Sequence, residues 1–154
     1  MVRLTAYLTP EHIHLDLPAT NKAGLLAAAA RLLAPSVDGL DSSEIAELLS
    51  SRERLASTGV GHGIAIPHAS SAAIEAPCLG LFRTAVPVPF EAVDDQPVQL
   101  VLVVLAPQRA QGLHLRLLAR IARLVRSAEV RETLLAAATA EQAYLCMTGF
   151  EGTE

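Results

Sequence analysis

The residues best able to do chemistry sit in "STGVGHGIAIPHA", positions 57–69. Pro67 fixes its own backbone angle and pushes Ile66 towards an extended conformation, so His68 is presented from a restrained backbone. Gly59, Gly61 and Gly63 precede it in alternation with larger residues. Such glycines permit positive φ and can leave successive N–H groups uncovered, the arrangement of an anion-binding nest. A neutral imidazole beside such donors suits nucleophilic attack on phosphorus. The plainer reading is a tight glycine turn with an incidental histidine.

Two more residues extend that chemistry. His114 shares a helical stripe with Leu117, Leu118, Ile121 and Leu124, so it points inward. It is either a satisfied core histidine or a second site imidazole. Arg52 lies just upstream of the glycines, where a guanidinium could hold phosphoryl oxygens bidentately. A surface role is the alternative, and Arg54 competes for the position. Glu53 reads as solvated. Arg116, Arg120, Arg123, Arg126 and Arg131 read as an outward face, either solvated or a docking surface for an acidic partner. His12 and His14 could be paired ligands on a strand face, but no third ligand is suggested, so no metal is expected. "GVGHG" matches neither G-x-G-x-x-G nor G-x-x-x-x-G-K-[ST], and G-x-S-x-G is absent. No nucleotide or other cofactor is expected.

The surroundings must place these groups. The chain has 154 residues, enough for a single domain over 1–154 with a real core. Hydrophobic residues make up 51% and aromatics only 3%, so the core must be aliphatic. Scarce aromatics and a formal charge of −4 argue against nucleic-acid binding. Cys78 and Cys146 form no CxxC and read as reduced thiols in a cytoplasmic protein. No apolar run approaches membrane-span length; "LVLVVLA" at 100–106 has strand length.

Alternation over Ile13, Leu15 and Leu17 predicts a short strand. Thr20 or Asn21 can cap a helix running to about Ala34, stopped by Pro35. Asp41 with Glu44 predicts a capping box and a second helix that ends near Arg52. Residues 78–86 and 98–105 read as strands, the latter buried on both faces. The last third reads as helices around 113–125, 128–137 and from Glu141 towards Met147, with "EGTE" as a tail.

The motif "SRERLASTGVGHGIAIPHA" resembles the signature of the phosphotransferase-system enzyme IIA domains of the fructose, mannitol and nitrogen-regulatory class. That signature is an Arg-Glu pair, then S-T-G-[IV]-G-x-G-[IV]-A-[IVL]-P-H, here Arg52-Glu53 and Ser57 through His68. "NKAGLLAAAARLLA" is similar to the family's Lys-containing first helix. "PVPFEAVDDQPVQLVLVVLAP" resembles its I-x-[FW]-[DNG]-A-x-D-[GN]-x-P-V segment and following strand, and "HLRLLARIARLV" its "HL" helix. The likeness spans about residues 4–148.

The resemblance implies an α/β fold, a mixed β-sheet flanked by helices on both faces. It places His68 at the phosphorylated histidine, His114 at the second active-site histidine and Arg52 at the arginine near the phosphoryl group. With it, Ser57, Thr58, Gly59, Gly61 and Gly63 are expected to form the phosphoryl-binding loop. The implied function is that of a phosphocarrier, a phosphotransferase component with a phosphohistidine intermediate. It would take its group from HPr or the nitrogen-branch NPr, then donate it to a IIB component or use it to regulate a target protein. Two positions depart from the pattern: Ala69 replaces a frequent glycine, and His62 fills a variable position. With no fused IIB or IIC segment in the chain, a nitrogen-regulatory role is favoured over a fructose- or mannitol-type sugar component. A IIA-like domain that has lost transfer is disfavoured by the intact His68, His114 and Arg52. A shallow apolar rim for transient docking is expected around His68, and a weak homodimer is compatible with the sequence.

Overall fold

The computed structural model describes residues 2–152. The expected alternation at the start gives β1 (Ile13–Leu17), and Asn21 caps α1 (Lys22–Leu33) by accepting the Gly24 N–H. A 3-10 turn over Ala34–Ser36 absorbs Pro35. The Asp41–Glu44 capping box is present in both directions and opens α2 (Ser42–Leu55). Then come β2 (Gly59–Gly61), β3 (Ile64–Ala65), β4 (His68–Ser71), β5 (Cys78–Val88) and β6 (Val98–Pro107). The last third forms α3 (Gln111–Val125), α4 (Ala128–Ala136) and α5 (Ala140–Gly152).

The six strands make one mixed sheet. β6 pairs antiparallel with β5 on one side and parallel with both β3 and β4 on the other; β1 runs parallel to β5, and β2 antiparallel to β3. Because side chains alternate along a strand, β6 feeds two cores. Val101, Val103 and Leu105 pack with Phe82 beneath α1 and α2. Leu100, Leu102 and Val104 pack with Leu79, Leu81 and the apolar stripes of α3, α4 and α5. Each buried aliphatic side chain contributes about 1.5–3 kcal/mol. Helices therefore cover both faces, as the α/β expectation required, and β6 is buried at every position but the half-buried Gln99.

β3 and β4 are two pieces of one interrupted ladder. Pro67 lies between them, without an N–H for the ladder, while its carbonyl still accepts the Val104 N–H at 3.0 Å. Sheet pairing thus continues at His68, which lies in register with Val104.

Three sequence readings are corrected. Arg120 is not on the outward arginine face: it is 6% exposed and meets the Glu151 carboxylate at 3.4 Å. Glu151 is no tail residue; it belongs to α5 and is buried, while Thr153 and Glu154 lie outside the described residues. Glu53 is not solvated but buried on the inner side of α2.

Candidate functional site

β4 delivers His68 and the start of α3 delivers His114, both near the carboxyl end of β6. The two imidazoles meet edge to face, with ring centroids 5.6 Å apart and planes at 74°. Both residues are half-buried. Nδ1 of His68 lies 2.8 Å from the Ile66 carbonyl oxygen. A carbonyl can only accept, so Nδ1 carries the proton and the lone pair sits on Nε2. Ile66 is itself anchored, since its N–H, in the preceding peptide unit, donates to the Thr58 carbonyl at 2.9 Å. Nε2 of His114 is buried and has no hydrogen-bond partner among the described residues. A buried polar atom left in that state needs a reason, and a ligand oxygen is one.

Electrostatics keep both rings neutral. Burial lowers the pKa of His68 first; the Arg52 charge lowers it further, while the Ile66 carbonyl and Glu53 pull it upward. Burial lowers His114 as well, with His68 adding to the effect. Arg52 stands in the last turn of α2 and donates one guanidinium N–H to the Ala56 carbonyl at 3.0 Å. The structure therefore gathers His68, His114 and the Arg52 charge.

The expected amide cradle takes a different form. Gly61 (φ 98°) and Gly63 (φ 76°) flank His62 (φ 56°) at the tip of the β2–β3 hairpin. The Gly63 carbonyl accepts the Gln99 N–H, whereas His68 pairs with Val104. Five residues of β6 separate those positions, roughly 16 Å at the rise of a strand. The hairpin tip faces Ala122, Val125 and Arg126 near the far end of α3. The N–H of His62 is taken by Asp94 and that of Gly59 by the Ser57 hydroxyl. Gly59 is needed for close approach: a Cβ there would stand 2.6 Å from the Ala92 Cβ. Gly61 and Gly63 thus shape the tip of a hairpin, well along β6 from His68. The N–H and hydroxyl of Thr58 donate to Glu53, and the Ser57 hydroxyl donates to the Phe90 carbonyl.

Glu53 is the residue sequence reasoning missed. Its carboxylate accepts the Thr58 N–H at 3.0 Å, the Thr58 hydroxyl at 2.6 Å and the Lys22 ammonium at 3.0 Å. Burial opposes its charge, yet the Thr58 and Lys22 contacts hold its pKa below the ordinary value. The only local hint is its place beside Arg52, because its partner Lys22 lies 31 residues away. His12 and His14 do not join as ligands: His12 Nε2 bonds the Ser36 hydroxyl, and His14 stacks on Phe82 at 5.6 Å.

Comparison with known proteins places this geometry among relatives. Residues 6–148 match the family model described as phosphoenolpyruvate-dependent sugar phosphotransferase system, EIIA 2. A nitrogen regulatory protein of Pseudomonas aeruginosa is 40% identical over 144 residues, covering 94% of each chain. A fructose-specific EIIA component of Haloferax volcanii is 35% identical over 131 residues, covering 84% of this chain and 85% of its own. The crystal structure of nitrogen regulatory protein IIA-Ntr from Neisseria meningitidis superposes with a TM-score of 0.89 at 34% identity, covering 94% of this chain and 98% of that one.

Proposed function

The chain belongs to the EIIA 2 family of the phosphoenolpyruvate-dependent sugar phosphotransferase system, and from that premise we propose that His68 Nε2 is the atom that carries the phosphoryl group. The observation that carries this reading is the Nδ1 contact with the Ile66 carbonyl, which leaves Nε2 as the nucleophile, beside a second imidazole.

The donor is a phosphohistidine on HPr or NPr. Nε2 attacks phosphorus in line; the new N–P bond forms as the donor's N–P bond breaks, and the electron pair returns to the donor imidazole. His68 keeps its Nδ1 proton, so the phosphorylated ring is cationic and the Ile66 carbonyl stabilises it. Phosphoryl transfer of this kind needs positioning and charge stabilisation above all. Arg52 supplies a guanidinium fork to the equatorial oxygens. His114 donates from Nε2 to another, giving that buried nitrogen the partner it lacks. No step requires a metal or nucleotide. Exposed Leu55, beyond Arg52, and Leu115, beside His114, supply the apolar rim for docking.

The phosphoryl group then passes to a IIB component or reports to a regulated partner. The 40% identity to a nitrogen regulatory protein, against 35% to a fructose-specific component, supports the regulatory output. Incubation with phosphoenolpyruvate, enzyme I and HPr should yield an acid-labile adduct on His68. His68→Ala should remove the adduct entirely. Labelling that survives that substitution would sink the assignment.

A further inference from the structure

Lys22 stands in the first turn of α1, an unfavourable place for a cation, because the helix dipole is positive there. It is the chain's one lysine. The site compensates the misplacement. Lys22 Nζ lies 3.0 Å from Glu53, 3.4 Å from Glu91 and 4.7 Å from the centre of the Phe90 ring. Glu91 is largely exposed, but the Glu53 side chain is only 4% exposed. A local rule broken and repaired at this cost points to function.

Hydrogen bonds, joined by the backbones of Thr58 and Ile66, lead from this ion pair to the nucleophile. Lys22 bonds Glu53. Glu53 grips Thr58 through its N–H and its hydroxyl. The Thr58 carbonyl accepts the Ile66 N–H, and the Ile66 carbonyl holds Nδ1 of His68. We propose that Glu53, clamped by Lys22, is a positioning residue for phosphoryl transfer: through Thr58 and the Ile66 peptide it keeps the His68 ring oriented with Nδ1 protonated and Nε2 nucleophilic. This inference rests on the reading of His68 as the phosphoryl acceptor. Glu53 never touches the transferred group; it acts through backbone that hydrogen-bonds the ring. Arg52, the neighbouring residue, sends its charge to the site directly, so adjacent residues of α2 divide two tasks.

The test compares wild type with Glu53→Gln, Lys22→Met and Lys22→Arg. Two quantities are read: transfer kinetics from phospho-HPr, and the His68 tautomer by nitrogen-15 NMR of the unphosphorylated protein. Glu53→Gln and Lys22→Met should each lower kcat about tenfold with KM unchanged. Both should show His68 as a tautomer mixture, and Lys22→Arg should restore the rate and the single tautomer. Should Glu53→Gln fail to fold, Lys22→Met decides alone, since it leaves the Glu53–Thr58 bonds available. Folded variants that keep the wild-type tautomer and kcat while only their melting temperature falls would overturn the proposal. If wild type itself takes no phosphoryl group on His68, the reading of the acceptor fails instead, and the tautomer comparison still judges the clamp.

Discussion

At the scale of single residues, the two site imidazoles are neutral for a shared reason: burial disfavours the charged ring, and each ring stands near further positive charge or its potential. His14 is lowered too, by burial first. Depressed folded values carry a definite sign. Above the ordinary 6.5 the native and unfolded chains bind equal numbers of these protons. Below it the unfolded chain takes up protons that the native rings refuse, so stability falls as pH drops through the folded values. The buried carboxylates Glu53 and Glu151 also have lowered values, but they act only below the ordinary 4.5. The histidines therefore own the interval from about pH 6.5 to 5. Melting temperature should decline across it, and His68→Ala combined with His114→Ala should flatten most of that decline, leaving the share of His14. An unchanged slope in the double variant would mean that the rings titrate normally. His68 and Arg52 were legible in the sequence because their motif is contiguous. The Nδ1 contact was not, since it needs the Ile66 carbonyl to turn back towards the ring.

At the scale of elements, α2 has two ends with separate duties. Its start is held by the reciprocal Asp41–Glu44 bonds of 2.8 and 3.1 Å. Its end presents Arg52 and is anchored by Glu53 to Thr58 and Lys22. Asp41→Ala should cost about 1 kcal/mol in urea unfolding. Transfer to His68 should stay near wild type, because the anchored end does not depend on the cap. A large loss of transfer would show that the whole helix, and not its end, sets the site. Helix α1 and the capping box were readable from local residue order, as was the buried β6 from its run of Val and Leu. The path of the glycine segment was not legible, for a physical reason. Gly59, Gly61 and Gly63 have the same freedom in a hairpin as in an anion nest, and only the pairing with β6 decides where the tip lies. The division of β3 from β4 at Pro67 was likewise half visible: proline marks the break, but the resumption of pairing at His68 is a long-range fact.

At the scale of the whole molecule, both chain ends converge on one carboxylate. Glu151 Oε2 accepts the Leu4 N–H at 2.7 Å, and Oε1 accepts the Thr5 N–H at 3.0 Å and its hydroxyl at 2.8 Å. Arg120 joins from α3, the helix that also carries His114. Leu4 is thereby held at 0% exposure in the core beneath α3, α4 and α5. Nothing local in the sequence announces this node, because its members lie at opposite ends of the chain and Arg120 sits among arginines that face water. Breaking a buried ion pair by neutralising one member costs about 3–5 kcal/mol. Glu151→Gln should approach the lower end of that range at pH 7. The amide can still accept one N–H, but it turns a donor towards the other and removes the Glu151 charge that faces Arg120. The lowered pKa of Glu151 gives the stabilisation a window: it is complete above the ordinary 4.5 and disappears as pH falls through the folded value. Urea midpoints of wild type and variant should therefore differ widely at pH 7 and draw together as pH falls below the ordinary 4.5 and through the lowered folded value, where the wild-type carboxylate is itself neutralised. A gap that stays the same size throughout that acid titration would assign the loss to packing around α5 and not to the charge.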